Sequence, residues 1–359
     1  MTYELLIGTY TRKTSSEGVY AYSISGEGDN ITLMAVNRGI DNPSFLIQHP
    51  YLDVVFAVNE VADFTSSNSR SDSGAVSAFS SENGRLEVLN QRPSLGADPC
   101  HLSISAQGKC LLVANYSGGS FTSFPISADG SLGEFVSAVQ HKGMGINPTR
   151  QTGAHVHSTT FGPSGEFVYV ADLGTDQVIQ YPVDDTGQVG SQASHAISLK
   201  AGAGPRHFCF SGGFGYLLNE LDNTVISFRV DVGGQLKVLH THSSLPDTYS
   251  SPNDGAHIEA SRDGKYLYAS NRGHDSIVVF KIGLQGKLEQ VQFQPTLGRH
   301  PRHFTFSPDQ EFMLVANRDT NNVVVFKRDS STGLLTETGN QFEVPSPVFL
   351  LPMPIPNRC

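Results

Sequence analysis

The sequence predicts an all-β fold, a seven-bladed β-propeller of four-stranded antiparallel blades, and three observations carry the prediction. A two-strand pattern of nearly constant length recurs six times along the chain. Each copy is followed by two further short, alternating apolar stretches. The two ends of the chain supply the pieces of a seventh copy.

The recurring pattern is Pro-x-(His/Phe), an apolar strand, a turn, and a second apolar strand that ends in Asn plus a variable residue. Its copies run from Pro43-Ser44-Phe45 to Asn59-Glu60, from Pro99-Cys100-His101 to Asn115-Tyr116, and from Val156-His157 to Ala171-Asp172. They continue from Pro205-Arg206-His207 to Asn219-Glu220, from Ala256-His257 to Asn271-Arg272, and from Pro301-Arg302-His303 to Asn317-Arg318. Fourteen residues separate the ring position from the Asn position in five of the six copies. The Arg206 copy has twelve, its turn Ser211-Gly212-Gly213-Phe214-Gly215 being shorter. A third strand follows, as in Val76-Ser77-Ala78-Phe79 and Ile277-Val278-Val279-Phe280, and a fourth starts after a Gly turn, near Leu86 or Leu288. Four such strands in about 45–55 residues make one blade.

The closing blade is assembled from both ends. Leu5-Leu6-Ile7-Gly8-Thr9-Tyr10 matches a second strand, with third and fourth strands expected at 18–24 and 31–37. Pro347-Val348-Phe349-Leu350 matches a first strand, so the ring closes without an open seam. Residues 1–359 read as one domain, with 351–359 an irregular tail that runs free or along an edge, because Pro352, Pro354 and Pro356 cannot continue a central strand. The Ser/Asp-rich stretch from Ala62 to Ser73 is expected to be a mobile loop. His141 to Gly153 and Leu245 to Gly255 are long loops leading into first strands, on the face where chemistry is expected.

Charged residues make up 16% of the chain, the formal net charge is −10, and there is no basic run. That excludes nucleic acid and an anionic membrane surface as main partners. No stretch of about 18 apolar residues exists to span a membrane. The N-terminus reads as a strand, lacking the basic and apolar regions of a signal peptide. Cys100, Cys110, Cys209 and Cys359 show no metal-ligand spacing and read as free thiols, which makes the cytoplasm the expected compartment.

First strands line a propeller's channel. His101, His157, His207, His257 and His303 fall at one place in five copies, with Phe45 and Phe349 in the other two. Repetition explains them economically, and for His101 and His257 the expectation is an imidazole bonded to the backbone of the neighbouring blade. The residues that do not repeat are more informative. Before the ring position, Arg206 and Arg302 stand where other copies have Ser44, Cys100, Val156, Ala256 or Val348. After the Asn position come Glu60, Tyr116, Asp172, Glu220, Arg272 and Arg318. Antiparallel pairing gathers Arg206, His207, Asn219 and Glu220 at one edge. Guanidiniums at a channel mouth need partners or a ligand. A structural ring of ion pairs with Glu60, Asp172 and Glu220 is expected more for Arg302 and Arg318 than for Arg206 and Arg272. His155 and His157 share a face if extended, as metal ligands would. The nearby arginines would repel a divalent cation, so no metal and no cofactor is expected.

Several stretches carry a family resemblance. They are Leu6-Ile7-Gly8-Thr9-Tyr10-Thr11, His155-Val156-His157 with Ala171-Asp172-Leu173-Gly174, Gly204-Pro205-Arg206-His207, Asn219-Glu220-Leu221 and Ser270-Asn271-Arg272-Gly273. Over essentially its whole length the chain resembles the seven-bladed lactonase propellers. These comprise the propeller-type bacterial 6-phosphogluconolactonase and the fungal 3-carboxy-cis,cis-muconate lactonizing enzyme. The resemblance implies an active-site histidine at His157, arginines at Arg206 and Arg272, and a carboxylate at Glu220. It implies lactone chemistry and leaves the direction, hydrolysis or cyclisation, open.

The expected reaction is opening of a small anionic sugar lactone, 6-phosphogluconolactone foremost. Glu220 or His157 would be the general base, since an uncharged imidazole or a carboxyl of raised pKa suits work near neutral pH. Arg206 and Arg272 would hold the substrate anion or a developing oxyanion. His155, Arg302, Arg318, His207 and Asn219 are further candidate substrate contacts. The rivals are a cyclising enzyme of carboxylated muconolactones, a metal-dependent gluconolactonase-type propeller, and a non-catalytic propeller that binds a partner. No Trp exists to form Trp-Asp repeat signatures. A monomer or weak homo-oligomer is expected.

Overall fold

Short runs of β-branched and aromatic residues, bounded by Gly, Asn and Asp turns, form strands of three to nine residues. A computed structural model describes residues 2–65, 72–184 and 187–354, and these strands pair as seven four-stranded antiparallel sheets. The only helical element among the described residues is the 3₁₀ turn Leu284–Gly286. No helix among them is long and apolar enough to cross a membrane.

Numbered from the N-terminus, blade 1 sets Pro347–Pro354 beside Tyr3–Thr9, followed by Gly18–Ser25 and Asn30–Arg38. The innermost strands of blades 2 to 7 are Leu46–Gln48, Pro99–Ile104, Val156–Phe161, Pro205–Ser211, Asp254–Ala260 and Pro301–Phe306. The tail expected from residue 351 is corrected: pairing continues through Leu5↔Pro352 and Tyr3↔Pro354. Prolines are accommodated because this strand is its sheet's edge and pairs on one side only. Residues 355–359 lie outside the described residues, as do 66–71 of the expected mobile loop, whose flanks are joined by Phe64 N–H donating to Ser73 O at 2.9 Å.

Seven apolar clusters, one at each blade interface, hold the ring together. Between blades 5 and 6, for example, Tyr216, Leu218 and Val225 pack against Ile258, Leu267 and Phe280. Each such fully buried side chain contributes about 1.5–3 kcal/mol. Because both faces of each blade are packed this way, the innermost strands are held at fixed positions around the channel.

One irregularity recurs on those strands and aims the site. Pro99↔Asn115 is followed by His101↔Ala114, Val156↔Asp172 by Ser158↔Ala171, Pro205↔Asn219 by His207↔Leu218, and Pro301↔Asn317 by His303↔Ala316. These four inner strands therefore each carry a β-bulge, and the residues left without a partner in the ladder are Cys100, His157, Arg206 and Arg302. A bulge breaks side-chain alternation and re-aims a residue. Consecutive side chains can then meet, as Arg206 Nη1 does with His207 Nε2 at 3.1 Å.

The register corrects the alignment of blade 4. Asp172 pairs where other blades have Asn, and Ser158 stands where they have a ring, fourteen residues apart as elsewhere. His157 therefore shares the place of Cys100, Arg206 and Arg302, and the variable residue of that blade is Leu173. The other six rings meet across the channel. Phe45 lies 4.4 Å from His101 and 4.1 Å from Phe349, and His303 lies 4.0 Å from Phe349 and 4.1 Å from His257 (centroid distances). With only Ser158 between their blades, His101 and His207 approach to 5.2 Å. The backbone bonds expected of His101 and His257 are corrected too. Nδ1 of His101 is buried without a partner, and Nδ1 of His257 faces Nδ1 of His207 at 3.1 Å. A bond of the expected kind is made by His303, whose Nδ1 accepts from Leu350 N–H of blade 1 at 3.3 Å.

Candidate active site

The bulged residues and the residues after the Asn position form two adjoining rows on one side of this ring layer. Glu220 leaves strand Phe214–Asn219 through a backbone bond from its N–H to Gly204 O at 2.7 Å. Gly204 has φ +65°, and a Cβ there would come within 2.5 Å of Leu221, so glycine is required where the chain enters the Arg206 strand.

Glu220 is 2% exposed and gathers the cations around it. Its Oε2 accepts from Arg206 Nε at 2.9 Å and lies 2.9 Å from Arg272 Nη2, while Oε1 accepts from Arg150 Nη2. His157 Nε2 stands 3.8 Å from Oε2. Burial alone would push the Glu220 carboxyl up. Arg272, Arg206, His157 and Arg150 outweigh it and hold the group well below the usual carboxylate range. The expectation of a Glu220 with a raised pKa is therefore corrected: it is a fixed anion. His157 is the opposite case. Burial, then Arg206, keeps its pKa well below 6.5, against the pull of Glu220, so the imidazole is neutral.

The expected division of ion pairs holds for Arg302, which faces Glu60, and fails for the other three arginines. Arg206 and Arg272 are bound to Glu220, and Arg318 pairs with its exposed neighbour Asp319 at 2.7 Å. Arg302, its side chain 14% exposed, makes no hydrogen bond among the described residues. It stands 3.8 Å from Glu60 and 5.2 Å from the Tyr10 ring centre. Glu60 accepts from Tyr10 Oη at 3.0 Å and from Ser44. Burial raises its carboxyl pKa despite Arg302, so of the two glutamates beside these arginines Glu60 is the raised one.

Two candidates belong to the scaffold. Asn219 Nδ2 donates to Thr224 Oγ1 at 2.8 Å, tying off its own strand. Its counterparts Asn115, Asn271 and Asn317 donate to the incoming carbonyls of Ser94, Ser244 and Thr296. His207 lies between Arg206 and His257 and is buried. His155 and His157 both reach Tyr116, His155 from before the bulge and His157 from within it. His155 stacks on Tyr116 at 4.6 Å with Nδ1 on Tyr116 O at 3.0 Å, whereas His157 meets the edge of the same ring at 5.4 Å. Among the described residues no group of three or more His, Cys, Asp or Glu is arranged to hold a metal ion.

Sequence reasoning gave no role to Arg150 or Asp254, which are 3.5 Å apart, or to Tyr10. Arg150 lies in a long loop already marked as facing the site, but no spacing rule tells which loop residue turns inward. A cavity of about 480 Å³ adjoins the cluster, lined in part by Asp254, Arg272, Arg299 and His300.

A family model described as lactonase, 7-bladed β-propeller, matches residues 4–352. The 6-phosphogluconolactonase of Bacillus subtilis is 34% identical over 348 residues, spanning 95% of this chain and 96% of its own. That of Formosa agariphila is 34% identical over 352 residues, with the same shares. The solved structure of the Pseudomonas aeruginosa periplasmic gluconolactonase PpgL has a TM-score of 0.90 at 33% identity, covering 99% of this chain and 100% of that one.

Proposed function

The chain belongs to the lactonase family of seven-bladed β-propellers, and from that premise we propose that it hydrolyses a small anionic sugar lactone, 6-phosphogluconolactone foremost. The observation that supports this best is the convergence of His157, Arg206 and Arg272, from three blades, on the single carboxylate of Glu220.

In this reading the neutral His157 takes a proton from water as the water oxygen attacks the lactone carbonyl carbon. Glu220, 3.8 Å away, stabilises the imidazolium that forms. Arg206 and Arg272, fixed by Glu220, set a positive potential at the carbonyl. Arg302, which faces Glu60 but makes no hydrogen bond among the described residues, donates to the oxyanion. When the ring C–O bond breaks, the imidazolium of His157 gives the proton it took to the leaving alkoxide. The products are the hydroxy acid carboxylate and one released proton. A cytoplasmic setting stays part of the proposal, supported by the free Cys100, Cys110 and Cys209.

The test is acid release by the purified protein from 6-phosphogluconolactone and glucono-δ-lactone, with cyclisation of 3-carboxy-cis,cis-muconate assayed alongside. Hydrolysis well above the buffer rate is expected, falling about 10²–10⁴-fold in His157→Ala. Wild-type hydrolysis at the buffer rate would end the proposal, and turnover of the muconate alone would replace it with the cyclising reaction.

A further inference from the structure

We infer that the cavity bordered by Arg272, Arg299 and His300 is a subsite for a phosphate monoester carried by the substrate, and that Arg299 sets the preference for phosphorylated lactones. The inference rests on the lactonase reading above.

The cavity shares Arg272 and Asp254 with the Glu220 cluster, so a ligand at one reaches the other. Three nitrogen groups on its lining have no hydrogen-bond partner among the described residues. Arg272 spends Nη2 on Glu220 and on Gly255 O, but its Nε is buried without a partner in a side chain 7% exposed. A buried charged donor left unpaired is costly, which calls for an acceptor from outside. His300 is the second. Its Nδ1 faces Arg318 Nη2 at 3.4 Å and Asp319 Oδ2 at 3.7 Å; a guanidinium can only donate, and as the nearer contact it makes Nδ1 the acceptor. Burial, then Arg272, lowers the ring's pKa to about 3, so it is neutral and its single proton sits on Nε2. That N–H is buried and has no partner. Arg299 is the third, exposed, with a guanidinium that makes no hydrogen bond among the described residues.

The carboxylates beside them are already engaged. Asp254 faces Arg150 at 3.5 Å, and Asp319 pairs with Arg318 at 2.7 Å. Asp275 Oδ1 accepts the backbone N–H groups of His300 at 2.8 Å and Gly273 at 3.2 Å. Each carboxylate is thus held through one oxygen by a cation or by backbone N–H groups, and the unpaired donors beside them fit a group that only accepts. A phosphate monoester offers three such oxygens to two guanidiniums and an imidazole N–H.

Arg299→Ala tests this, since the residue is exposed and supports no contact of the fold. Wild type and variant are compared on 6-phosphogluconolactone and glucono-δ-lactone, with His300→Phe as a second variant that keeps ring volume. The ratio of kcat/KM for the phosphorylated over the unphosphorylated lactone is expected to fall about 10–100-fold in Arg299→Ala, chiefly through KM, as for one lost charge-assisted hydrogen bond. An unchanged ratio overturns the inference while leaving the lactonase reading intact. If neither lactone is turned over, that reading fails and calorimetric titration with inorganic phosphate decides the subsite: binding weakened in Arg299→Ala sustains it, and equal or absent binding overturns it.

Discussion

Replacing Glu220 by glutamine keeps the shape of the side chain and leaves Arg150, Arg206 and Arg272 facing a neutral amide. Two of the guanidiniums are 2.9 Å from the carboxylate, and Arg206 is only 2% exposed. Removing one partner of a buried pair costs about 3–5 kcal/mol, because the other charge is left uncompensated. With three cations losing one anion, the upper end of that range is expected. That is a large share of the roughly 5–15 kcal/mol that keeps a typical protein folded. The assay is urea unfolding, read as a lower midpoint at unchanged slope. The carboxyl's pKa is lowered on folding, so its stabilisation is complete above the unfolded value near 4.5 and is lost as pH falls through the folded value. The gap between wild type and Glu220→Gln should therefore be full at pH 7 and close in acid. Adding Arg206→Met should recover part of the loss, a coupling of about 0.5–3 kcal/mol. Equal midpoints at pH 7, or a gap that widens on acidification, would refute the reasoning.

Arg302→Met should behave differently, costing little stability because no hydrogen bond is lost, while kcat falls about 10²–10³-fold if this guanidinium meets the oxyanion; unfolding and steady-state kinetics on one preparation separate the two effects. The acid limb of kcat/KM should lie well below pH 6.5, since burial and Arg206 keep His157 deprotonated, and a limb at 6.5 or above would remove His157 as the base. Ser158→Phe should cost about 1–3 kcal/mol by overfilling the gap in which His101 and His207 meet at 5.2 Å, measurable as a lowered unfolding midpoint.

The ring of blades was legible because repetition fixes it: the Phe45-to-Asn59 spacing recurs, and the closing blade could be placed from both termini. The side chains around Glu220 were legible through their failure to repeat, as with Arg206 and Arg272. The misplaced residue in blade 4 has a local cause. Asp substitutes for Asn at position 172, so the count was anchored one residue early and His157 was grouped with the rings. Pro352 and Pro354 left a free tail and an edge strand both open, because proline forbids only a central strand, and the strand they occupy is an edge. The states of the two glutamates could not be read at all. Glu60 and Glu220 occupy equivalent places, and only the number of guanidiniums that reach each one separates them.

The strand that completes blade 1 is made after the other twenty-seven. Joining segments some 340 residues apart costs on the order of 5 kcal/mol in chain entropy, which this last strand must offset through its bonds to Tyr3–Thr9 and its packing. Arg302 and Tyr10 face each other across that seam, from blades 7 and 1. A chain halted at Val344 would keep every contact around Glu220, but the spacing of Arg302 and Tyr10 would then rest on the apolar packing of blade 1 against blade 7 without the last strand. In the proposed reaction, docking of residues 347–354 is therefore expected to raise hydrolysis as well as to close the ring.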